Sequence, residues 1–78
     1  MEIKQLFNQN PNAVSLILKN KNFKNSSEVF KELESFKELI ELDLQGNNLA
    51  DLPEDLSNFH SLKSLDLTNN PFTNVIIL

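Results

Sequence analysis

The sequence predicts an α/β fold, a short solenoid in which copies of one small unit stack side by side. Residues Leu39–Leu49 place leucine and asparagine in the order L-x-x-L-x-L-x-x-N-x-L, and Leu62–Phe72 repeats this order after an offset of 23 residues. Around Leu42 and Leu44, apolar and polar residues alternate with the period of two that is typical of a strand. One unit cannot bury its own leucines, so stacked copies must supply the core and join their strands into a parallel sheet.

The spacing resembles that of leucine-rich-repeat proteins, of the intracellular type with 23-residue repeats. The resemblance is specific for residues 39–72 and looser before them, where a partial copy, Ala13–Phe23, has Lys21 at the place of the motif asparagine. It implies a curved parallel sheet on the concave side and helices or irregular coils on the convex side. It also implies that Asn47 and Asn70 form a structural ladder, in which each side chain bonds main-chain groups of successive coils.

Residues 1–12 are expected to form an N-terminal capping helix and residues 13–78 about two and a half leucine-rich repeats, so that the chain makes one domain. Ile3, Leu6 and Phe7 have the i, i+3, i+4 spacing of an amphipathic helix, which the following asparagine and proline end. We expect these apolar side chains to cover the open end of the first coil.

A second helix is predicted between the first two copies. The offset from Ala13 to Leu39 is 26 residues, three more than the offset from Leu39 to Leu62. Asn25 and Glu28 have the spacing of a capping box, and Ser26 and Ser27 are competing caps. The apolar stripe of this helix consists of Val29, Phe30, Leu33 and Phe36. The charged residues on its opposite side are Lys31, Glu32, Glu34 and Lys37. We interpret the charged residues as a solvated face, and an acidic recognition helix is the alternative.

The composition excludes several classes of function. None of the 78 residues is cysteine, which excludes disulfides, thiolate metal sites and cysteine nucleophiles and suits a reducing, cytoplasmic location. The net charge of −4, with lysine as the only strong base, disfavours nucleic acid as a partner. The first apolar run is too short for a signal peptide or a membrane span, so no membrane partner is expected.

Nothing in the sequence predicts an enzyme, a metal site or a cofactor. His60 is the only histidine and has no second ligand near it, which favours an exposed coil position. Asp43 and Asp66 are the one carboxylate pair that the pattern places on one face, and a flat strand face offers no pocket to desolvate them. We find no phosphate-binding loop and no nucleophile with a base, so no catalytic residue is predicted.

The family resemblance places the ligand on the concave sheet face, whose residues alternate with the buried leucines. These residues are Ser15, Ile17 and Lys19 on the first strand, Glu41, Asp43 and Gln45 on the second, and Ser64, Asp66 and Thr68 on the third. Neighbouring strands lie about 4.8 Å apart, so Asp43 and Asp66 should repel each other unless a basic partner relieves them. We therefore predict a basic or polar protein partner. For the polar residues, the alternative is that they only keep the sheet face soluble. For Ile17, the alternative to anchoring a ligand is a position under the N-terminal helix.

The C-terminal end departs from the repeat. Val75, Ile76, Ile77 and Leu78 form an apolar run, and the last three stand where the previous coil is polar. Because an uncapped end exposes leucines and a sheet edge, the tail either folds back over this end, joins two chains end to end, or leads into further repeats of a longer protein. We favour a homodimer, since two and a half repeats fall short of the three or so that a solenoid needs.

The sequence therefore predicts a protein–protein interaction module that binds a macromolecular partner through its concave sheet face. Two alternatives have different consequences. In the first alternative, the chain is a self-assembling structural protein that uses its apolar C-terminal end. In the second, it is the N-terminal part of a larger signalling or effector protein with leucine-rich repeats.

Overall fold

The structure is a computed structural model that describes residues 2–53 and 56–72. Its elements, in chain order, are the helix α1 (Glu2–Gln9), the strand β1 (Ser15–Ile17), the helix α2 (Ser26–Leu33), and the strands β2 (Glu41–Asp43) and β3 (Ser64–Asp66). The strands form one parallel sheet in the order β1-β2-β3. The predicted α/β class with a parallel sheet is confirmed, and each copy of the motif contributes one strand.

The register of the sheet follows the sequence repeat. Leu16, Leu42 and Leu65, which hold the same place in the three copies, are paired across the strands. The main-chain ladder continues past the strand ends, where Leu18 N donates to Asp43 O at 2.8 Å. Because hydrogen bonds between parallel strands are evenly spaced, a fixed offset in sequence becomes side-by-side placement of equivalent side chains.

Helix α1 packs against α2 through its apolar side. Glu2 stands in the first turn, where its negative charge complements the helix dipole. Ile3 is completely buried, and the ring of Phe7 lies edge-on to the ring of Phe36 with centroids 5.2 Å apart. The amphipathic helix that the spacing predicts is thus present, and the proposed division between a capping helix and the repeats stays a prediction.

Helix α2 begins where the capping spacing predicts. Asn25 is the N-cap residue, and its Oδ1 accepts a hydrogen bond from Glu28 N at 3.3 Å. Such a side-chain acceptor satisfies a main-chain donor that the first helical turn leaves unpaired. The predicted apolar stripe faces the core, because all four residues are buried: Val29, Phe30, Leu33 and Phe36. The helix is shorter than predicted, however, since it ends at Leu33 and Phe36 lies in the segment that follows.

The turn after each strand has one residue with a positive φ at the same place in the motif. These residues are Asn20 with φ 55°, Gly46 with φ 68° and Asn69 with φ 59°. Glycine and asparagine are the residues that adopt this left-handed conformation most readily. At the second turn a Cβ on Gly46 would also meet Oδ1 of Asn20, an exposed side chain that would have to move aside.

The core is one cluster of apolar side chains drawn from both helices and from the sheet. Its buried members are Ile3, Ala13, Leu18, Phe23, Val29, Phe30, Leu33, Phe36, Leu39, Leu42, Leu44, Leu49 and Phe59. The rings of Phe30 and Phe59 lie edge-on, with centroids 6.4 Å apart, and join α2 to the segment between β2 and β3. Neither helix of the described residues is long and apolar enough to cross a membrane.

The second and third copies of the motif differ in burial. The motif leucines of the second copy are at most 1% exposed, whereas those of the third copy and Phe72 are only partly buried. The order of the stacked copies explains this difference in burial. The second copy lies between two other copies, whereas the third copy has a described neighbour on one side. Among the described residues, no segment packs on the far side of the third copy, and its motif residues are apolar.

Candidate interaction surface

The residues predicted to bind a partner lie in three rows across the sheet. Sheet register places Ser15, Glu41 and Ser64 in the first row and Ile17, Asp43 and Asp66 in the second. The third row, just past the strand ends, consists of Lys19, Gln45 and Thr68. We call these residues the polar sheet face. Their role in binding stays a prediction.

In the second row, the carboxylates of Asp43 and Asp66 share one donor. Gln45 Nε2 donates to Asp43 Oδ2 at 3.2 Å and to Asp66 Oδ2 at 2.8 Å. Gln45 N also donates to Asp43 Oδ1 at 3.0 Å, and Lys19 Nζ lies 3.7 Å from Asp43 Oδ2. Asp43 is only 9% exposed as a result.

These contacts correct the prediction that the two aspartates repel each other until a partner neutralises them. Asp43 and Asp66 do stand side by side, but the amide of Gln45 donates hydrogen bonds to both carboxylates. The ammonium group of Lys19 lies beside Asp43 and reduces the repulsion between the two. Alternation alone could not show this, because it assigns residues to a face without showing how side chains lean along it. The pair is held in place by the protein itself.

In the first row, the carboxylate of Glu41 has more unused acceptor capacity. Ser15 Oγ donates to Glu41 Oε1 at 2.6 Å, and no described group donates to its other oxygen. Glu41 is exposed, whereas Asp43 is buried and Asp66 is half-buried. Since a carboxylate can accept about four hydrogen bonds, Glu41 is the acid on this face that is best able to receive a donor from a partner.

The pKa of the Asp66 carboxyl lies below its ordinary value of 3.8. The main cause is Thr68, whose main-chain N donates to Asp66 Oδ1 at 3.1 Å and whose Oγ1 donates to the same oxygen at 2.9 Å. The positive charge of Lys19 and the Gln45 amide act in the same direction, and partial burial acts against them. Hydrogen bonds and positive charge favour the ionised form, so Asp66 keeps its charge in mildly acidic solution.

We expect Thr68→Val to raise the pKa of Asp66 part of the way back towards 3.8, because the hydroxyl donor is lost and the main-chain donor remains. A carboxyl with a lowered folded-state pKa contributes stability above its unfolded-state pKa, and this contribution is lost as the pH falls through the folded-state pKa. The variant should therefore lose less stability than the wild type on acidification. Carboxyl ¹³C NMR titration measures the shift directly, and equal pKa values in both proteins would contradict the assignment.

Apolar side chains are also exposed on and beside the polar sheet face. Ile17 is 55% exposed, so the interpretation that the N-terminal helix covers it is wrong. Val14 and Ile40, which precede β1 and β2, are 52% and 40% exposed, and Ile40 N donates to Val14 O at 2.8 Å. The sequence pattern did not single out this second pair, although both residues follow the first apolar position of their copies.

Asn47 joins the first and second copies of the motif. Its Oδ1 accepts from Lys21 N at 2.9 Å and from Phe23 N at 3.1 Å. Its Nδ2 donates to Leu18 O at 3.0 Å and to Leu44 O at 2.9 Å. One buried amide thus satisfies main-chain groups that the turn leaves unpaired in two successive copies.

Asn70 makes the corresponding contacts between the second and third copies. Its Oδ1 accepts from Leu49 N at 3.1 Å, and its Nδ2 donates to Leu44 O at 2.9 Å and to Leu67 O at 3.1 Å. Lys21, which holds the equivalent place in the first copy, contributes its main-chain N–H to Asn47. Both asparagines thus join successive copies through hydrogen bonds to the main chain.

The described residues contain no arrangement suited to catalysis by a metal. Among residues 2–53 and 56–72, no three His, Cys, Asp or Glu side chains come together in a way that could hold a metal ion. His60 is exposed. Four cavities of the described part lie near the helices and beside the third copy, and Ser64 is the one residue of the polar sheet face that lines any of these four.

A family model described as Leucine Rich repeats (2 copies) matches residues 37–77, which is more than half of the chain. The chain belongs to the leucine-rich-repeat family. The match includes both complete copies of the motif, 39–49 and 62–72. Leucine-rich repeats generally mediate protein–protein interaction and are typically not enzymes. No curated protein and no solved structure matches the chain.

The residues predicted for self-association, Val75, Ile76, Ile77 and Leu78, lie outside the described residues. The third copy, which precedes them in the chain, lies within the described residues. A groove of about 220 Å³ on the third copy is lined mainly by apolar residues, among them Leu56, Phe59, Leu62 and Leu65.

Proposed function

We propose that this leucine-rich-repeat protein binds a protein partner through the polar sheet face, and that a basic segment of the partner docks across the first and second rows. In the family resemblance this is the concave side. The observation that carries the proposal is the combination of an exposed apolar side chain, Ile17, with the exposed carboxylate of Glu41 on the neighbouring strand.

The two residues have complementary roles in the proposal. Ile17 offers an apolar contact whose burial would contribute about 1 kcal/mol or more. Glu41 accepts a hydrogen bond from a lysine or arginine of the partner. Lys19 offsets only part of the negative charge of Asp43 and Asp66, and the remaining negative charge adds attraction. A reducing, cytoplasmic setting belongs to the proposal as well, since the cysteine-free composition suits it.

Selection of peptides from a displayed random library on the immobilised full chain tests this proposal. We expect selected peptides to carry basic residues beside an apolar one, and to bind Ile17→Ser and Glu41→Lys at least about tenfold more weakly than the wild type. Glu38→Lys is the matched control, because it makes the same charge change at an exposed position outside the polar sheet face. Peptides that bind Glu41→Lys and Glu38→Lys equally well would refute the proposal.

We propose as a second candidate that two chains associate end to end through the third copy. The partly buried leucines of the third copy and the apolar groove beside them favour this function, because exposed apolar surfaces of this kind mark contact sites. Sedimentation equilibrium of the full chain over a range of concentrations, beside a chain that lacks Val75–Leu78, tests it. A dimer that requires these residues supports self-association, and a monomer in both cases excludes it.

A further inference from the structure

The charged side of α2 is less solvated than the sequence indicates. Lys31 and Lys37 are exposed, but Glu32 and Glu34 are partly buried. The Oε2 atom of Glu32 is itself buried, and no described group donates a hydrogen bond to it. A buried acceptor without a donor is costly, and the cost is larger for a charged group, so a donor supplied by a partner would stabilise this carboxylate.

Glu32 borders a groove between the two helices, which we call the α1–α2 groove. Its lining residues are Lys4, Phe7 and Asn8 from α1, and Glu28, Lys31, Glu32 and Ser35 from α2 and the turn that follows. Two adjoining cavities of about 230 Å³ and 350 Å³ make up the groove and share three of these residues. This space is large enough for one long side chain.

The neighbouring lysines do not neutralise Glu32. The ion pairs formed among the described residues join Lys19 to Asp43 and Lys21 to Glu2, and neither involves Lys4 or Lys31. The groove thus combines a buried acceptor, an aromatic ring of Phe7 at its side, and two ammonium groups that also line it.

We propose that the α1–α2 groove is a second binding site, which receives an arginine side chain of a protein partner. A guanidinium group has five donors and can pair with the carboxylate of Glu32, which lines both cavities, while its alkyl stem and planar face lie against Phe7. Lys4 and Lys31 favour acidic residues on either side of that arginine, by charge complementarity. The preferred sequence in the partner is therefore an arginine between two acidic residues, which differs from the basic segment expected at the polar sheet face.

The blocked tripeptide acetyl-Glu-Arg-Glu-amide is the probe, and amide ¹H–¹⁵N shifts of the full chain are the readout. We expect saturable shifts at Phe7, Glu32 and Ser35, with about fivefold weaker affinity for Glu32→Gln and unchanged affinity for the control Glu38→Gln. The same peptide with citrulline in place of arginine has no positive charge and should bind more weakly than the arginine peptide. Equal affinity for Glu32→Gln and the wild type, or shifts confined to the polar sheet face, would overturn the proposal.

A separate measurement tests whether Lys4 pairs with the carboxylate of Glu32 within the chain. If Lys4 satisfied Glu32 in solution, Glu32→Gln and Lys4→Met would each lower the denaturation midpoint, and the double variant would lose no more than either single one. That result would also overturn the proposal. We expect Glu32→Gln to leave the midpoint unchanged or to raise it, since the free protein then no longer buries an unpaired charged oxygen.

Discussion

Replacement of Asn47 by alanine is expected to lower the free energy of unfolding by about 3–5 kcal/mol. The side chain is buried and bonds Lys21 N, Phe23 N, Leu18 O and Leu44 O. Each buried main-chain group that loses its partner costs about 1–3 kcal/mol. A domain of this length has a total stability of about 4–12 kcal/mol, so one substitution removes a large share of it.

Urea unfolding followed by circular dichroism measures this loss. Asn48→Ala is the matched control, because Asn48 is exposed, makes its side-chain bond to another exposed asparagine, and should change stability by about 0.5 kcal/mol or less. Asn47→Asp sets a buried carboxylate oxygen against Leu18 O and Leu44 O, so it should cost at least as much as Asn47→Ala. If Asn47→Ala and Asn48→Ala lay within about 1 kcal/mol of each other, the buried amide would not hold successive copies together.

The second large effect is a difference between two equivalent leucines. Leu42 and Leu65 are paired across β2 and β3, but Leu42 is 0% exposed and Leu65 is only partly buried. We expect Leu42→Ala to cost about 3–5 kcal/mol, through lost burial and the cavity that remains. Leu65→Ala should cost about 1–2 kcal/mol, because less apolar surface is removed from contact and solvent can fill the space.

Both variants are to be unfolded at low and at high protein concentration. A cost for Leu65→Ala equal to that for Leu42→Ala at every concentration would contradict the prediction and show that the far side of the third copy is covered within one chain. A cost that rises with concentration would instead indicate that a second chain covers it, as the self-association candidate requires.

Much of the fold could be predicted because its signals are local and repeated. The leucine spacing of the second and third copies predicts strands, and the constant offset predicts that Leu42 and Leu65 stand side by side. Asn25 and Glu28 mark the beginning of α2, and the single glycine marks a turn with positive φ. Each of these features depends on a few neighbouring residues or on exact repetition.

The candidate site was less predictable than the fold. The alternation pattern places Asp43 and Asp66 together on the sheet face, but it could not show that Gln45 bridges them. It also could not show that no described group donates to the second carboxylate oxygen of Glu41. These properties depend on side-chain conformations across three strands, for which a sequence pattern has no signal.

The sequence by itself determined the family, the parallel sheet and the place of each motif residue, because a repeat converts spacing along the chain into position in the sheet. Only the tertiary structure decided which polar groups are satisfied and which are not. The position of Glu32 along α2 indicates a solvated residue, yet one of its oxygens is buried and receives no hydrogen bond from a described group. Burial and hydrogen bonding depend on which segments meet in space, and that information is not local to any stretch of the chain.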